Sequence, residues 1–340
     1  MQRDIARALG ISQVAVSLAL RNSPRVSEER RKQIHEAAER MGYFPDPLAT
    51  GLVRAKTRGV SPKVRASLAW LNCWPDPKQL RSYPIFERYW LGAQAAAEKF
   101  GYRLEEFICN ERLSPARLEA VLVARGIQGI LLPPHSFQPD WGGFDWRRFS
   151  VVRLSRTPQA PLAHVVTADQ VQNTIDAIKA MRASGYRRIG FVAFDDPSNY
   201  RWLFDAGFLR AQSEMASADR LPIIGLHPIH PRTSQPELTA WLQREKPDAI
   251  LTPYPELREL LEVCGYSVPG DLGLASVSNI DAITNAGIDQ NPEEIGRVAV
   301  LTLISLMYDN DRGVPSVLRE ILIRGKWVSG TTLPLPRRHL

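Results

Sequence analysis

Residues 4–22, DIARALGISQVAVSLALRN, limit what this chain can become more tightly than any other stretch. Ile5, Ala6 and Leu9 recur at helical spacing, and Gly10 then stands where the backbone must turn sharply and a Cβ would cost energy. Ser12 is placed to cap a second helix whose inner face carries Val16, Ala19 and Leu20. The small side chain of Ala6 lets the two helices approach closely. Two short helices joined so tightly form the helix-turn-helix pattern, whose second helix enters the DNA major groove.

A third helix follows a polar turn over residues 21–26. Ser27 caps it, Glu28 and Glu29 sit in the first turn where the helix dipole favours negative charge, and Ile34, Ala37, Ala38 and Met41 line its apolar face. Three such helices share a core of marginal size. Pro45 and Pro47 then stop regular structure, and Pro47 is suited to open a short fourth helix over residues 48–54. Gly51 weakens that helix by roughly 1 kcal/mol relative to Ala, so it is expected to fold only against a partner or DNA. Charge follows the same division. Residues 1–60 hold 11 Lys and Arg against 6 Asp and Glu, whereas the rest of the chain holds 32 against 30. The positive excess therefore belongs to the small N-terminal unit, as a unit that meets phosphates requires.

From residue 63 the texture changes to strands alternating with helices. Apolar strands are expected over 64–71, 103–108, 129–132, 150–154, 165–167, 188–193, 223–226, 249–252, 272–277 and 317–323. Helices are expected over 86–100, 115–124, 171–184, 201–217, 236–245, 256–264 and 292–308. This order implies parallel sheets covered by helices on both faces. A length of 340 residues divides it into two α/β lobes more comfortably than one sheet. Cys73, Cys109 and Cys264 are odd in number and far apart, with no CxxC pair, which suits buried thiols in a reducing cytoplasm and not a disulfide framework or zinc site. No signal peptide is expected, and no stretch reaches the roughly 18 apolar residues of a membrane helix.

Enzyme chemistry finds no constellation. GxSxG, GxxxxGK[ST] and GxGxxG are all missing from the sequence. His227 and His230 are too closely spaced around Pro228, with no carboxylate or Cys beside them, to read as a metal pair, and His135 and His164 are isolated. No metal and no cofactor are expected.

The order of parts resembles the lac-repressor (LacI/GalR) family. The residues that carry the resemblance are DIA at 4–6, GIS at 10–12, VS at 16–17, NSPRVSEERR at 22–31, GYFPDPLATGL at 42–52 and GYRRIGFV at 185–192, with looser matches at 271–279 and 290–303. The resemblance spans essentially the whole chain and is most specific over residues 4–54. It implies an all-α helix-turn-helix domain at 1–46, a hinge helix and linker at 47–62, and a two-lobed effector-binding and dimerisation body at 63–332. That body would have the periplasmic-binding-protein-like fold of two doubly wound parallel-sheet lobes, and residues 333–340 would be a tail.

Carried over by position, Gln13, Val14 and Leu18 stand where the family reads bases. Gln can bond the N6/N7 edge of adenine, and Val or Leu can pack on a thymine methyl. Leu18 replaces an arginine common there, so the operator is expected to differ from a common family site. Ser12, Ser17, Asn22, Arg25, Ser27 and Arg30 stand where the family contacts phosphates, and Leu52, with Ala49 beside it, matches the leucine wedged into the minor groove. In the effector region the family's polar residues are replaced: Phe204 stands for an arginine, Ser278 and Ser155 for aspartates, and Tyr254 for an asparagine. Trp74, Tyr83, Trp202, Phe204 and Tyr254 could instead form an aromatic cleft. The resemblance implies a non-enzymatic transcription regulator, a repressor acting as a homodimer on a near-palindromic double-stranded DNA operator, with a small-molecule, sugar-like effector between the lobes. The alternative is a small-molecule binding protein whose DNA head is vestigial or architectural.

Overall fold

The computed structural model describes residues 2–20, 26–40, 66–109, 114–135, 140–156, 160–194, 202–227, 231–254, 256–279 and 285–334. The hinge and linker expected at 47–62, with both boundaries drawn around them, lie outside these residues, as does most of the tail. The chain divides into two compact units, residues 1–65 with the short segment 98–101, and the remainder.

In the first unit, α1 (Gln2–Ala8), α2 (Gln13–Leu20) and α3 (Glu28–Arg40) pack around Ile5, Ala6, Val16, Ala19, Ile34, Ala37 and Ala38, with Leu9, Ile11 and Val26 at the margin. The core is small because four of its seven buried members are alanines. The turn after α1 is fixed by the backbone. Ile11 N–H donates to Ala6 O at 3.0 Å, Gly10 N–H donates to Arg7 O at 3.4 Å, and Gly10 adopts φ +63°. This pair of bonds closes a helix end around a left-handed residue. A Cβ on Gly10 would meet nothing within 4 Å, so conformation and not space selects glycine here.

The body contains two six-stranded sheets, one per lobe. The first lobe takes β1 (Ala66–Asn72), β2 (Tyr102–Ile108), β3 (Gly129–Leu132), β4 (Ser150–Arg153), β5 (His164–Ala168) and the late strand β11 (Glu320–Ile323), in the order β11-β5-β4-β3-β1-β2. All its pairings are parallel. Its helices are α4 (Pro77–Ser82), α5 (Pro84–Lys99), α6 (Pro115–Ala124) and α11 (Pro292–Asp309), the last lying along β3, β4 and β5. The second lobe takes β6 (Ile189–Phe194), β7 (Ile224–Leu226), β8 (Ala249–Thr252), β9 (Gly273–Ser276), β10 (Gly287–Asp289) and β12 (Lys326–Val328), in the order β12-β10-β9-β8-β6-β7. Only β12 runs antiparallel to its neighbour there. Its helices are α7 (Gln170–Ala183), α8 (Trp202–Gln212), α9 (Gln235–Glu245) and α10 (Leu257–Val263). The chain thus passes between lobes three times: after β5, between β10 and α11, and between β11 and β12.

Alternation along the buried strands builds a core on each face of the second sheet. Phe191 and Leu251 face one side of the second sheet, and Val192 and Ile250 face the other. Glycines set the closest approaches. A Cβ on Gly92 of α5 would fall 1.9 Å from Glu293 O, and one on Gly296 of α11 would fall 2.0 Å from Tyr89 O, so these two helices touch backbone to backbone. Arg88 clamps the same crossing with a bidentate pair to Glu293 at 2.8 and 2.9 Å. In the second lobe Gly207 lets α8 approach α7, where a Cβ would stand 2.5 Å from Val171 O, and its neighbour Phe208 stacks on Phe191 at 5.0 Å between ring centroids.

The two-lobed α/β architecture expected from the alternation is the one observed. Several bounds differ. The helix expected over 201–217 ends at Gln212, and a separate short turn of 3-10 helix covers Ser217–Asp219. The strand expected from 317 begins only at Glu320. Helix α4 and strands β10 and β12 were not expected; each is too short to show a period.

Candidate DNA-reading surface and effector region

In the first unit Ser12 Oγ accepts from Ala15 N–H at 3.1 Å, the N-cap its position implied. On α2, Val16 and Ala19 are fully buried, whereas Gln13 and Val14 are exposed and Leu18 is half-buried. At 100° per residue, positions 13, 14 and 18 fall on one arc, opposite 16 and 19. Val14 leaves 68% of its surface in solvent and takes no part in the buried core. Ser27 and Arg30 are exposed at the start of α3, whose first turn holds Glu28 and Glu29. Arg30 reaches Gln33 Oε1 only at 3.4 Å. The Ser17 side chain, Asn22, Arg25, Ala49 and Leu52 lie outside the described residues.

In the body, several expected effector residues follow the carboxyl ends of parallel strands, where open α/β sheets hold ligands. Trp74 follows β1; it is nearly buried, its indole N–H donates to Pro134 O at 2.8 Å, and its ring lies 5.7 Å from Tyr83 and 6.4 Å from Phe86. Tyr83 is exposed. Ser155 follows β4 and is half-buried. Ser278 follows β9, where its N–H donates to Ser276 Oγ at 3.0 Å. Trp202 opens α8 with 55% of its surface exposed.

The aromatic cleft of five rings is not formed as expected. Phe204 packs in the core with Phe191 and Phe208, while Tyr254 packs in the core with Val192 and Ile250. These cores lie on opposite faces of the second sheet, and both rings are buried in them. Tyr254 is held further by its hydroxyl, which donates to His227 O at 2.6 Å, and by Phe194 at 4.1 Å between centroids. Both are packing residues because large apolar rings on a helix and at a strand end find the core first.

Sequence reasoning passed over one ionisable group here. Asp205, in the first turn of α8, is half-buried, and desolvation pushes its carboxyl up to about 6. Its neighbours in sequence are all apolar, which is the only signal that could have marked it. The isolated histidines have structural partners. His135 Nε2 accepts from Cys73 N–H at 3.2 Å, and His164 Nδ1 accepts from Arg319 N–H at 3.1 Å. Burial, then the Arg319 charge, lower the His164 pKa, against the opposing pull of Asp311. Among the described residues no helix is long and apolar enough to cross a membrane.

Comparison with known proteins completes the description. Residues 2–46 match the family of bacterial regulatory proteins of the lacI type, and residues 178–331 match the periplasmic binding protein-like domain. The HTH-type transcriptional repressor CytR of Escherichia coli (strain K12) is 23% identical over 338 residues, covering 95% of each chain. A transcriptional regulator CelR–cellobiose complex superposes with a TM-score of 0.56 at 16% identity, covering 98% of this chain and 99% of that one. A LacI-family regulator from Enterococcus faecium with bound ribose gives 0.58 at 16% identity, covering 80% of this chain and 100% of that one. A helix-turn-helix head joined to a periplasmic-binding-protein-like body defines a DNA-binding transcriptional regulator and not an enzyme. The chain belongs to the LacI family.

Proposed function

We propose that the protein is a cytoplasmic repressor that binds a near-palindromic operator as a homodimer and is controlled by a sugar-like effector in the body. The observation that carries the DNA reading is α2 itself. Its inward positions are filled by Val16 and Ala19, and Gln13 and Val14 are exposed on the opposite arc. Gln13 would meet adenine, and Val14 and Leu18 thymine methyls. Ser12, Ser17, Asn22, Arg25, Ser27 and Arg30 would fix register on phosphates, and Leu52 with Ala49 would open the minor groove between the half-sites. The repressor assignment is supported by the printed function of the Escherichia coli relative, and the sugar class by the cellobiose and ribose held by the two structural relatives. Within the body, Trp74, Tyr83, Ser155, Trp202 and Ser278 remain as effector contacts. The proposed domains are a head at 1–46, a hinge and linker at 47–62, a body at 63–332 and a tail at 333–340.

Selection of bound duplexes from a random DNA library at two salt concentrations tests the reading. A palindromic consensus with a flexible central step is expected, with affinity falling steeply as salt rises. Leu52→Ala should lose affinity for that site while keeping nonspecific binding. Recovery of no consensus, with binding that vanishes at moderate salt, would leave only an electrostatic footprint and overturn the proposal.

A further inference from the structure

None of the roles above uses the cysteines, yet the fold brings two of them together. Strands β1 and β2 pair in parallel from Ala66 opposite Tyr102 to Asn72 opposite Ile108. One residue further, that register sets Cys73 beside Cys109. The last bond of the ladder, from Cys109 N–H to Asn72 O at 2.8 Å, holds the two backbones together up to that residue. Adjacent strands lie about 4.8 Å apart, inside the Cα separation of roughly 4.4–6.8 Å that a disulfide spans. Both side chains belong to one face of the first sheet: Cys73 is a member of the core around Leu71, Phe107 and Ile130, and Cys109 packs against it. The neighbouring Cys109 side chain, and then burial, push the Cys73 thiol far above its ordinary range, while the Cys109 thiol donates to Phe107 O at 3.9 Å. Their access differs: Cys73 is buried, and Cys109 is only half-buried. The Cys73 backbone is anchored through the bond from its N–H to His135 Nε2.

We propose that Cys73 and Cys109 are a reversible redox pair that closes to a disulfide by exchange with a low-molecular-weight disulfide. The more accessible Cys109 attacks as thiolate. Its Sγ bonds one sulfur of the small disulfide, and the other sulfur leaves as a thiolate. Cys73 then gives up its proton to that departing thiolate or to water, and its Sγ attacks Cys109 Sγ. The mixed disulfide breaks and the second small thiolate leaves. Two protein thiols are oxidised, and one small disulfide is reduced to two thiols. Cys73 is a poor first nucleophile because its thiolate is disfavoured where it sits. Adjacency lets it serve as the resolving partner, since its target is held beside it. In a reducing compartment such a bond is transient and suited to sensing. It would staple the carboxyl ends of β1 and β2 one residue before Trp74. The chemistry of the pair does not depend on the regulatory reading.

The test treats the native full-length protein with oxidised glutathione, alkylates the remaining thiols after unfolding, and maps the peptides by mass spectrometry. The expected product links Cys73 to Cys109, leaves Cys264 outside the link, and reverts with dithiothreitol. Cys73→Ser, and separately Cys73→Ala, should trap glutathione on Cys109, with far-ultraviolet circular dichroism confirming the fold of each. Should both variants unfold, the cross-link in the unmutated protein decides the matter. The proposal is overturned if the unmutated protein holds glutathione stably on Cys109 while Cys73 stays alkylatable. It is equally overturned if Cys73 and Cys109 both remain reduced under conditions that modify Cys264.

Discussion

The head and the body put side chains to use by opposite logic. In the head, three short helices are held by a core in which alanines outnumber larger residues, and the positions left over on α2 are the ones that face outward. Recognition there is what packing does not consume. In the body, sheet faces are filled by large apolar side chains, and rings near the strand ends are drawn inward, as Phe204 and Tyr254 are. A small core leaves its surface legible, whereas a large one absorbs candidate site residues.

The contrast breaks first at Ile34, fully buried beneath α1 and α2. Ile34→Ala is expected to cost about 2–5 kcal/mol, enough to unfold so small a unit and abolish DNA binding. Calorimetry should show the body's transition unmoved; a matching shift in the body would mean that the units do not fold independently. Next is Gly296→Ala, whose Cβ would stand 2.0 Å from Tyr89 O. A loss of about 1–3 kcal/mol is expected as α5 and α11 are forced apart, seen as a lower unfolding midpoint of the body.

Asp205→Asn should act in the opposite direction. Its carboxyl rises from 3.8 to about 6 on folding. Between those values the folded state binds the extra proton, so stability falls as pH rises and the loss is complete above about 6. Removing the charge should therefore stabilise the body by on the order of 1 kcal/mol at pH 8, solvent screening of a half-buried group included, and change little at pH 4. Urea melts at the two pH values check the sign. The smallest effect on folding belongs to Val14→Ala, which should leave stability within about 0.5 kcal/mol. It should still weaken the preference at one base pair by about 1 kcal/mol, measured by competition among single-base variants of the selected site. A stability loss instead would make Val14 a packing residue and erase the contrast.

Local patterns carried much of the fold. The bounds of Pro115–Ala124, Gly129–Leu132 and Ala249–Thr252 coincide with those expected, because a proline after a capping serine, or a short apolar run between polar turns, is complete within its own window. The cap at Ser12 and the turn at Gly10 were legible for the same reason. What escaped is non-local. Nothing near residue 320 announces that β11 pairs with β5, whose residues lie far earlier in the chain, nor that three-residue β12 belongs to the other sheet. The meeting of Cys73 and Cys109 is equally a product of register. Trp74 was named from the sequence only as one of several aromatics; its hydrogen bond to Pro134 and its neighbour Tyr83 depend on how loops return over the end of β1.

The three passages between lobes bear on how the protein is made. Strands β1 to β5 leave the ribosome first, but their sheet lacks its edge strand β11 and its covering helix α11 until residues 292–323 emerge. The first lobe is thus begun earliest and closed almost last, after most of the second lobe has been synthesised. During that interval the apolar face that α11 will cover, and the edge of β5 that β11 will pair, stand open to other chains. Nascent-chain length, more than either lobe's own stability, sets when this body can first shelter its core.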